Sequence, residues 1–190
     1  MESKNIMIVG VGGQGTLLAS KLLGRILLEN GYDVKVSEVH GMSQRGGSVV
    51  TYVRCGDKVY SPIIDKGEAD IVLSFELLEA ARWAEYLKEG GLLLTNTQKI
   101  NPMPVITGAA EYPEDLEQKL AALPIRLDAI DALGPALEAG SARAVNLVLL
   151  GRLSRYFDFT DAQWQDAIEK SVPAKFLELN KTAFARGAEG

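Results

Sequence analysis

Residues 6–15 read Ile-Met-Ile-Val-Gly-Val-Gly-Gly-Gln-Gly, an apolar run that ends in a cluster of glycines. A short, wholly apolar run such as Ile6–Val9 is typical of a strand that is covered on both faces in a parallel sheet. The glycines at positions 10, 12 and 15 fit the pattern GxGxxG, which carries meaning where it follows a strand and opens a helix. This stretch therefore predicts the first strand of an α/β fold and the turn into its first helix.

The residues after the glycine cluster carry the spacing of an amphipathic helix. An apolar residue recurs every four positions from Leu18 to Ile26, which predicts a helix over residues 14–29. Asn30-Gly31 supplies a C-terminal stop, and Val34–Val39 then predicts the second strand. Strand, helix and strand in this order are typical of a doubly wound sheet.

Further strands and helices alternate along the next part of the chain. Ser48–Arg54 alternates strand-forming residues, and the turn after it predicts a hairpin with Val59–Ile63. Asp70–Phe75 predicts another buried strand, followed by a helix over residues 76–88 and a strand over 92–95. This alternation extends the α/β pattern.

The last part of the chain changes character. Three prolines among residues 101–113 leave room for one short strand, Val105–Thr107, and Ile125–Ala129 resembles an edge strand. From Asp131 onward helical patterning dominates. We therefore expect a Rossmann-like, doubly wound α/β fold with a mostly parallel sheet and a helical C-terminal third. Residues 1–190 are expected to form a single domain, with an α/β core over about 1–130 and a helical part over about 131–190.

The composition excludes several classes of protein. Hydrophobic residues make up 47% and charged residues 24%, which is near the average of globular proteins and excludes disordered and fibrous classes. The formal net charge of −5 argues against a nucleic-acid partner, because such proteins concentrate Lys and Arg against phosphates. No run approaches the roughly 18 apolar residues of a membrane span, so we expect no membrane partner and a cytoplasmic location.

Cofactor chemistry is limited by the supply of ligands. Cys55 is the only cysteine, so this chain cannot form an internal disulfide or supply the four thiolates of an iron–sulfur cluster. His40 is the only histidine, and no carboxylate cluster accompanies it at metal-ligand spacing. We expect no metal site and no catalytic residue here, and an electron-carrying cluster would have to sit on another chain.

The glycine cluster offers a place for an anion. Glycine permits a tight turn and a close approach of the backbone, and the first N–H groups of the following helix favour a phosphate. In a nicotinamide enzyme an acidic residue at the end of the second strand binds the ribose, and Glu38 has that position. The candidate cofactor-binding residues are Gly10, Gly12, Gly13, Gln14, Gly15 and Glu38. The alternative is that the glycines only let helix and strand pack closely.

A second glycine-rich segment has no counterpart in an ordinary dinucleotide-binding fold. Residues 40–48 read His-Gly-Met-Ser-Gln-Arg-Gly-Gly-Ser, directly after the second predicted strand. Glycines permit unusual backbone conformations, while the other residues bring donors, acceptors and a fixed positive charge. The segment also takes the space that the adenosine of a dinucleotide needs. The residues predicted to face an active site or a partner are His40, Met42, Ser43, Gln44, Arg45, Gly46 and Gly47. A solvated surface turn is the alternative.

Three segments together resemble a known family: Ile8–Gly15, Glu38–Val49 and, in the C-terminal part, Asn146–Gly151. They are similar to the gamma-type subunits of thiamine-diphosphate-dependent 2-oxoacid:ferredoxin oxidoreductases, and most of all to the small (beta) subunits of the indolepyruvate type. Chain length and element order agree as well, so the resemblance covers nearly the whole chain. Its most specific part is Glu38–Val49.

The resemblance implies a subunit of an enzyme that oxidatively decarboxylates a 2-oxoacid, passes the electrons to ferredoxin and transfers the acyl group to coenzyme A. It implies a large partner subunit that carries thiamine diphosphate, Mg²⁺ and [4Fe-4S] clusters, with arylpyruvates as substrates. This chain would hold no cofactor firmly and would be inactive alone, and coenzyme A could be bound at the interface. The glycine turn and residues 40–48 would then face the partner, the cofactor region or the path of coenzyme A.

Two other functions stay open on the sequence alone. A freestanding nicotinamide- or flavin-dependent oxidoreductase would bind a pyrophosphate at Gly10–Gly15, with Glu38 at the ribose. A purely structural scaffold subunit would use neither glycine-rich segment for chemistry.

Three polar residues outside these segments also have predicted roles. Asn146 lies in an apolar helix, and because a buried amide needs partners it is expected to bond within the core, to a loop backbone or to a partner chain. Arg143 could bind a phosphate or a carboxylate, or be a surface charge. Glu76 directly follows a strand, at the edge where α/β sheets bind ligands, so it could face a ligand or stabilise the start of a helix, and we expect the second role.

Overall fold

The structure is a computed structural model that describes residues 3–40, with His40 as backbone only, and residues 46–189. The strands are β1 Lys4–Val11, β2 Asp33–His40, β3 Ser48–Gly56, β4 Ala69–Ser74, β5 Leu87–Asn96 and β6 Arg126–Ile130. The α-helices are α1 Thr16–Glu29, α2 Leu77–Trp83, α3 Met103–Ile106, α4 Leu116–Ala121, α5 Leu133–Glu138, α6 Val145–Ser154, α7 Asp161–Ser171 and α8 Leu177–Glu189. Short 3₁₀ helices cover Ala84–Tyr86, Ala142–Ala144 and Ala174–Phe176.

The strands form one sheet in the order β2-β3-β1-β4-β5-β6. From β1 outward through β4, β5 and β6 the pairing is parallel, whereas β3 runs antiparallel to both of its neighbours. Helices cover both faces of the sheet. The expected doubly wound, mostly parallel α/β fold with a helical C-terminal third is therefore confirmed.

The position of β3 departs from an ordinary dinucleotide-binding fold. The chain passes from β1 through α1 to β2, yet β3 lies between β1 and β2 and pairs with both. Val11 faces Ser48 at the end of one ladder, and His40 faces Val49 near the end of the other. The segment between His40 and Ser48 therefore connects two neighbouring antiparallel strands, and its last residues, Gly46 and Gly47, lie next to the carboxyl end of β1.

Two hydrophobic clusters lie on opposite faces of the sheet. Along β1 the side chains alternate, so that Ile6 and Ile8 belong to one cluster while Met7 and Val9 belong to the other. Helices α1 and α5–α8 cover the first cluster, and α2 and α4 cover the second. Because all four side chains are fully buried, the prediction of a strand covered on both faces is confirmed.

Helices α6 and α8 meet backbone to backbone. A Cβ at Gly151 would lie 2.0 Å from the carbonyl oxygen of Phe184, and a Cβ at Gly187 would lie 1.9 Å from that of Val148. Neither position has room for a side chain. These two glycines let the C-terminal helices close over the core.

The predicted hairpin partner of β3 was wrong. Residues 59–63 form no strand, although Val59 is buried. The guanidinium of Arg54 donates to the carbonyl oxygens of Ser61 and Ile63 at 3.3 and 2.8 Å. The Arg54 side chain thus supplies hydrogen bonds to backbone carbonyls of this segment. In a strand, those carbonyls would be bonded to a neighbouring strand.

Two further element predictions need correction. Residues 105–107 form no strand, because the prolines at 102 and 104 stand at the start of the short helix α3, where proline is tolerated. The helix predicted over residues 76–88 ends at Trp83, because Leu87 is already buried and paired with Ala69 in the sheet. Tertiary pairing here overrides the helical pattern of the local sequence.

Asp128 on the edge strand β6 joins the sheet to α6. Arg152 donates to both carboxylate oxygens, from Nε at 2.8 Å and from Nη2 at 3.1 Å, and the Tyr156 hydroxyl donates at 2.7 Å. Burial raises the pKa of Asp128, but the hydrogen bonds from Arg152 and Tyr156 outweigh it. The pKa of this carboxyl therefore lies below its ordinary value.

We expect Asp128→Asn to lower the free energy of unfolding by about 1–3 kcal/mol at pH 7. A carboxyl whose pKa falls on folding stabilises the protein above its unfolded pKa of about 3.9, and that stabilisation is lost as the pH falls through the folded pKa. Urea unfolding should show a constant difference from pH 7 to pH 5 that shrinks below about pH 4. The exposed Asp158→Asn serves as control, and a difference that grew on acidification would contradict this role.

Candidate functional site

The carboxyl ends of β1 and β4 lie side by side where the winding of the sheet reverses. From β1 the chain leads through α1 toward one edge, and from β4 it leads through α2 toward the other. Open α/β sheets bind ligands in the crevice at such a switch point. The glycine turn, residues 10–15, occupies this position.

Gln14 fastens the glycine turn across the switch point. Its Oε1 accepts a hydrogen bond from the backbone N–H of Val11 at 2.8 Å, and its Nε2 donates to the carbonyl oxygen of Phe75 at 3.0 Å. Gly10 leaves the room for this link, since a Cβ there would lie 2.9 Å from Gln14 Oε1. Gln14 therefore has a structural role in the turn, and its binding of a cofactor stays a prediction.

Replacing Gln14 by leucine should lower the free energy of unfolding by about 1–2 kcal/mol, because the N–H of Val11 and the carbonyl of Phe75 each lose a partner. Urea unfolding measures the change. Gln118→Leu on the exposed face of α4 is the matched control and should stay within about 0.5 kcal/mol of the parent protein. Equal stabilities of the two variants would show that the link across the switch point contributes nothing.

The start of α1 offers backbone donors to an anion. Gly13 and Gly15 have φ angles of 103° and 88°, a region that favours glycine. No side chain caps the helix, so the first N–H groups of α1 have no partner within it and carry partial positive charge. A phosphate or carboxylate can bind at this point.

Clefts lie on both sides of the glycine turn. One of about 380 Å³ is lined by residues that include Gly12, Thr16 and Glu38, and one of about 350 Å³ lies between Gly13 and Gln98. The structure thus brings Glu38 and the turn to a common cleft. However, the strand of Glu38 is two strand spacings from β1, or about 10 Å, instead of one. Glu38 is therefore farther out than the ribose-binding acid of a nicotinamide enzyme.

The end of the second glycine-rich segment is bonded to the first. The N–H of Gly12 donates to the carbonyl of Gly47 at 2.8 Å, and the N–H of Gly46 donates to the carbonyl of Gly12 at 3.3 Å. These bonds continue the β1–β3 ladder beyond Val11. The two segments singled out in the sequence therefore share one surface.

Other predicted residues of this segment lie outside the described residues. They are the side chain of His40 and the whole of Met42, Ser43, Gln44 and Arg45. Their roles stay predictions.

A buried carboxylate that the sequence analysis missed holds the same segment from the opposite face of the sheet. Glu79 on α2 is 3% exposed, and it accepts hydrogen bonds from the Ser48 hydroxyl at 2.5 Å, from Arg82 at 3.1 Å and from the Trp83 indole at 3.3 Å. Ser48 directly follows the two glycines. Arg82 and Trp83 follow Glu79 by three and four residues on one helix, so their contacts with Glu79 could have been predicted from the sequence. The contact with Ser48 could not.

Glu76 is buried at the start of α2. Its Oε2 caps the helix by accepting the N–H of Glu79 at 2.9 Å, which confirms the expected role. Its Oε1 also accepts the N–H of Ile100 at 3.0 Å and the hydroxyl of Tyr112 at 2.5 Å. Burial and the bond to Glu76 raise the pKa of Tyr112, so the phenol remains a donor. Glu76 thus anchors the segment beyond β5.

Asn146 lies against the glycine turn. It is 3% exposed, its Nδ2 lies 3.4 Å from the carbonyl oxygen of Gly15, and its Oδ1 accepts the N–H of Leu147 at 3.0 Å. A Cβ at Gly15 would lie 2.7 Å from Nδ2. The contact with a loop backbone is therefore present, and contact with a partner chain stays a prediction.

The described residues do not fit a metal ion or an iron–sulfur cluster. Within residues 3–40 and 46–189, no group of three His, Cys, Asp or Glu could hold a metal. Cys55 is buried in β3, where its Sγ donates to the carbonyl of Lys4 at 3.7 Å, and burial raises the pKa of the thiol. Among these same residues, every helix is too short or too polar to cross a membrane.

Comparisons with known proteins agree on one family. The family model described as pyruvate ferredoxin/flavodoxin oxidoreductase matches residues 5–190. The chain is 45% identical to the indolepyruvate oxidoreductase subunit IorB of Thermococcus kodakarensis, over all of this chain and 96% of that relative. It is 39% identical to the IorB of Archaeoglobus fulgidus, over 96% and 92% of the two chains. The pyruvate oxidoreductase subunit PORC of Thermotoga maritima shares the fold, with a TM-score of 0.76 at 24% identity over 100% and 97% of the chains.

Proposed function

The chain belongs to the pyruvate ferredoxin/flavodoxin oxidoreductase family, and from this premise we propose that it is the cluster-free small subunit of an indolepyruvate-type 2-oxoacid:ferredoxin oxidoreductase. A large partner subunit would carry thiamine diphosphate, Mg²⁺ and [4Fe-4S] clusters. The complex would decarboxylate an arylpyruvate, pass electrons to ferredoxin and form an acyl-CoA. The names and full-length coverage of the relatives support this assignment.

The main support for the proposal is the surface at the switch point that the glycine turn, residues 10–15, forms together with residues 46–48. Gly12 bonds the glycine turn to Gly46 and Gly47, and Glu79 fixes Ser48 from the other face. This surface offers binding groups at a ligand-binding position of the fold, while the described residues hold no set of ligands for a redox centre. Such a surface suits a subunit that completes a reaction site on another chain.

Coenzyme A is the ligand we assign to the glycine turn. The N–H groups at the start of α1 suit a phosphate, and a Cβ at Gly13 would meet no atom within 4 Å, so the turn is open to an approaching ligand. Arg45 would add a planar cation that pairs with phosphate through two hydrogen bonds. The adjoining residues His40, Met42, Ser43 and Gln44 would face the partner.

Co-expression tests the assignment. Alone, the chain should be colourless and inactive, whereas with the large subunit it should join a brown, oxygen-sensitive complex that reduces ferredoxin. A yellow or nicotinamide-loaded protein that is active by itself would overturn the assignment in favour of a freestanding oxidoreductase.

A variant of the assembled complex separates this role from that of a scaffold. Arg45→Ala should raise the KM for coenzyme A by about tenfold or more, since a charge-assisted contact with phosphate is lost, and should leave the KM for the 2-oxoacid unchanged. Arg155→Ala, exposed at the far end of α6, is the control. Unchanged kinetics in an intact Arg45→Ala complex would favour a purely structural subunit.

The whole chain is best treated as one domain. Helices α5–α8 share their hydrophobic cluster with α1 and the sheet. The C-terminal third therefore has no separate core that could fold independently. The cytoplasmic location stays a prediction.

A further inference from the structure

Another cavity, of about 460 Å³, lies next to Asn146 between the start of α1 and the start of α8. Its wall is mainly apolar and includes Leu18, Val172, Phe176 and Leu179. Its volume falls within the roughly 300–1,000 Å³ of sites that bind small molecules. The cavity is therefore large enough for a ligand with one aromatic ring.

Two buried amides give this cavity its polar part. Asn180 is 8% exposed and its Nδ2 donates to the carbonyl oxygen of Phe176 at 2.8 Å, while its Oδ1 receives no hydrogen bond from the described residues. Asn146 Nδ2 lies 3.4 Å from the Gly15 carbonyl oxygen, which is long for a hydrogen bond. Each amide thus retains capacity to bond a ligand.

Positive charge lies at the mouth of the cavity. Arg143 lines it with an exposed side chain, and its guanidinium forms no ion pair or hydrogen bond with another described residue. Lys175 Nζ lies 4.7 Å from the centre of the Phe176 ring, so a second cation stands beside the wall. An arginine fork binds a carboxylate through two parallel hydrogen bonds.

We propose that this cavity binds a small monocarboxylate with an aromatic or branched apolar body, the carboxylate on Arg143 and the body against Phe176 and Leu179. A bare phosphate would lose hydration against the apolar wall without a matching gain. A neutral apolar molecule would leave the guanidinium unused. The site lies on the α8 side of Asn146 and adjoins the cleft between Gly13 and Gln98, which Arg143 also lines. It goes beyond the subunit role because it belongs to this chain alone.

Titration of the isolated full chain with 3-phenylpropanoate tests the proposal. Methyl NMR spectra of leucine-labelled protein should shift at Leu18 and Leu179 on binding. Arg143→Gln should weaken binding by at least about tenfold. Arg155→Gln removes the same charge about 18 Å away at the other end of α6 and should leave binding unchanged.

Two further ligands define the chemistry. The neutral 3-phenylpropanamide tests the need for charge, and inorganic phosphate tests the need for the apolar body; each should bind at least about tenfold more weakly than 3-phenylpropanoate. Absence of binding, equal binding of the amide, or equal binding to Arg143→Gln would overturn the proposal. The titration uses the isolated chain, whereas the co-expression test uses the complex. Failure to bind 3-phenylpropanoate would therefore not contradict the proposed subunit role, and failure to form the complex would not contradict the proposed cavity ligand.

Discussion

Replacing Gly151 by alanine should destabilise the protein by about 3 kcal/mol or more, a large effect for a single methyl group. The new Cβ would lie 2.0 Å from the carbonyl oxygen of Phe184, so α8 must move away from α6 by roughly 1 Å. That movement would loosen the contact at Gly187 as well, because the two glycines lie on the same crossing. The C-terminal helices would then cover the core less tightly.

Urea and thermal unfolding of the isolated chain measure this loss. For a protein of 190 residues we expect the Tm to fall by about 6–12 °C, at roughly 2–4 °C per kcal/mol. Gly24→Ala on α1 is the matched control, because its Cβ would meet only Val36 Cγ2, at 3.8 Å, and the change should be neutral or slightly stabilising. If both variants unfolded at the same urea concentration, the close approach of α6 and α8 would be refuted.

Glu76→Ala should also cost about 3 kcal/mol, through a different mechanism. It leaves three donors without their acceptor: the N–H groups of Glu79 and Ile100 and the hydroxyl of Tyr112. Each buried donor that loses its partner costs about 1–3 kcal/mol, with the most exposed ones contributing least. Glu76→Gln keeps one acceptor oxygen, so we expect it to lose roughly half as much.

Hydrogen exchange locates the effect of Glu76→Ala. Amides of residues 97–112 should exchange faster in the variant than amides of β1, because Glu76 ties that segment to α2. Glu117→Ala, on the exposed face of α4, is the control. Uniform acceleration throughout the chain would mean that Glu76 acts on global stability alone and anchors nothing locally.

Local patterns predicted much of the fold. Apolar runs and spacings predicted β1 and α1, because both bury the side chains that their own sequence marks as apolar. Strand-forming residues predicted β2, although it is an edge strand on which Val36 and Val39 are about half exposed. The position of β3 in the sheet could not be predicted from local patterns. It depends on pairs such as Lys4 with Cys55, which are far apart in the sequence. The same holds for Leu87, whose pairing with Ala69 ends the helical pattern early.

The candidate site divides in the same way. The glycine turn follows from a local pattern, GxGxxG between a strand and a helix. The hydrogen bonds that hold this turn and its neighbouring segment cannot be predicted from a local pattern. Gln14 bonds Phe75 across 61 residues, and Ser48 bonds Glu79 across 31. Only the three-dimensional arrangement shows that two glycine-rich segments form one surface.

The insertion of β3 between β2 and β1 also separates this fold from that of a nicotinamide-dependent enzyme. In a nicotinamide-dependent enzyme the strand with the ribose-binding acid is the direct neighbour of the first strand. To reach that state, this chain would have to extract β3 and rejoin β1 to β2, breaking both of its ladders at once. Substitutions that leave β3 in place cannot bring β2 beside β1. A glycine turn can therefore look alike in the two folds while the strand beside it, and hence the ligand that the site admits, differs.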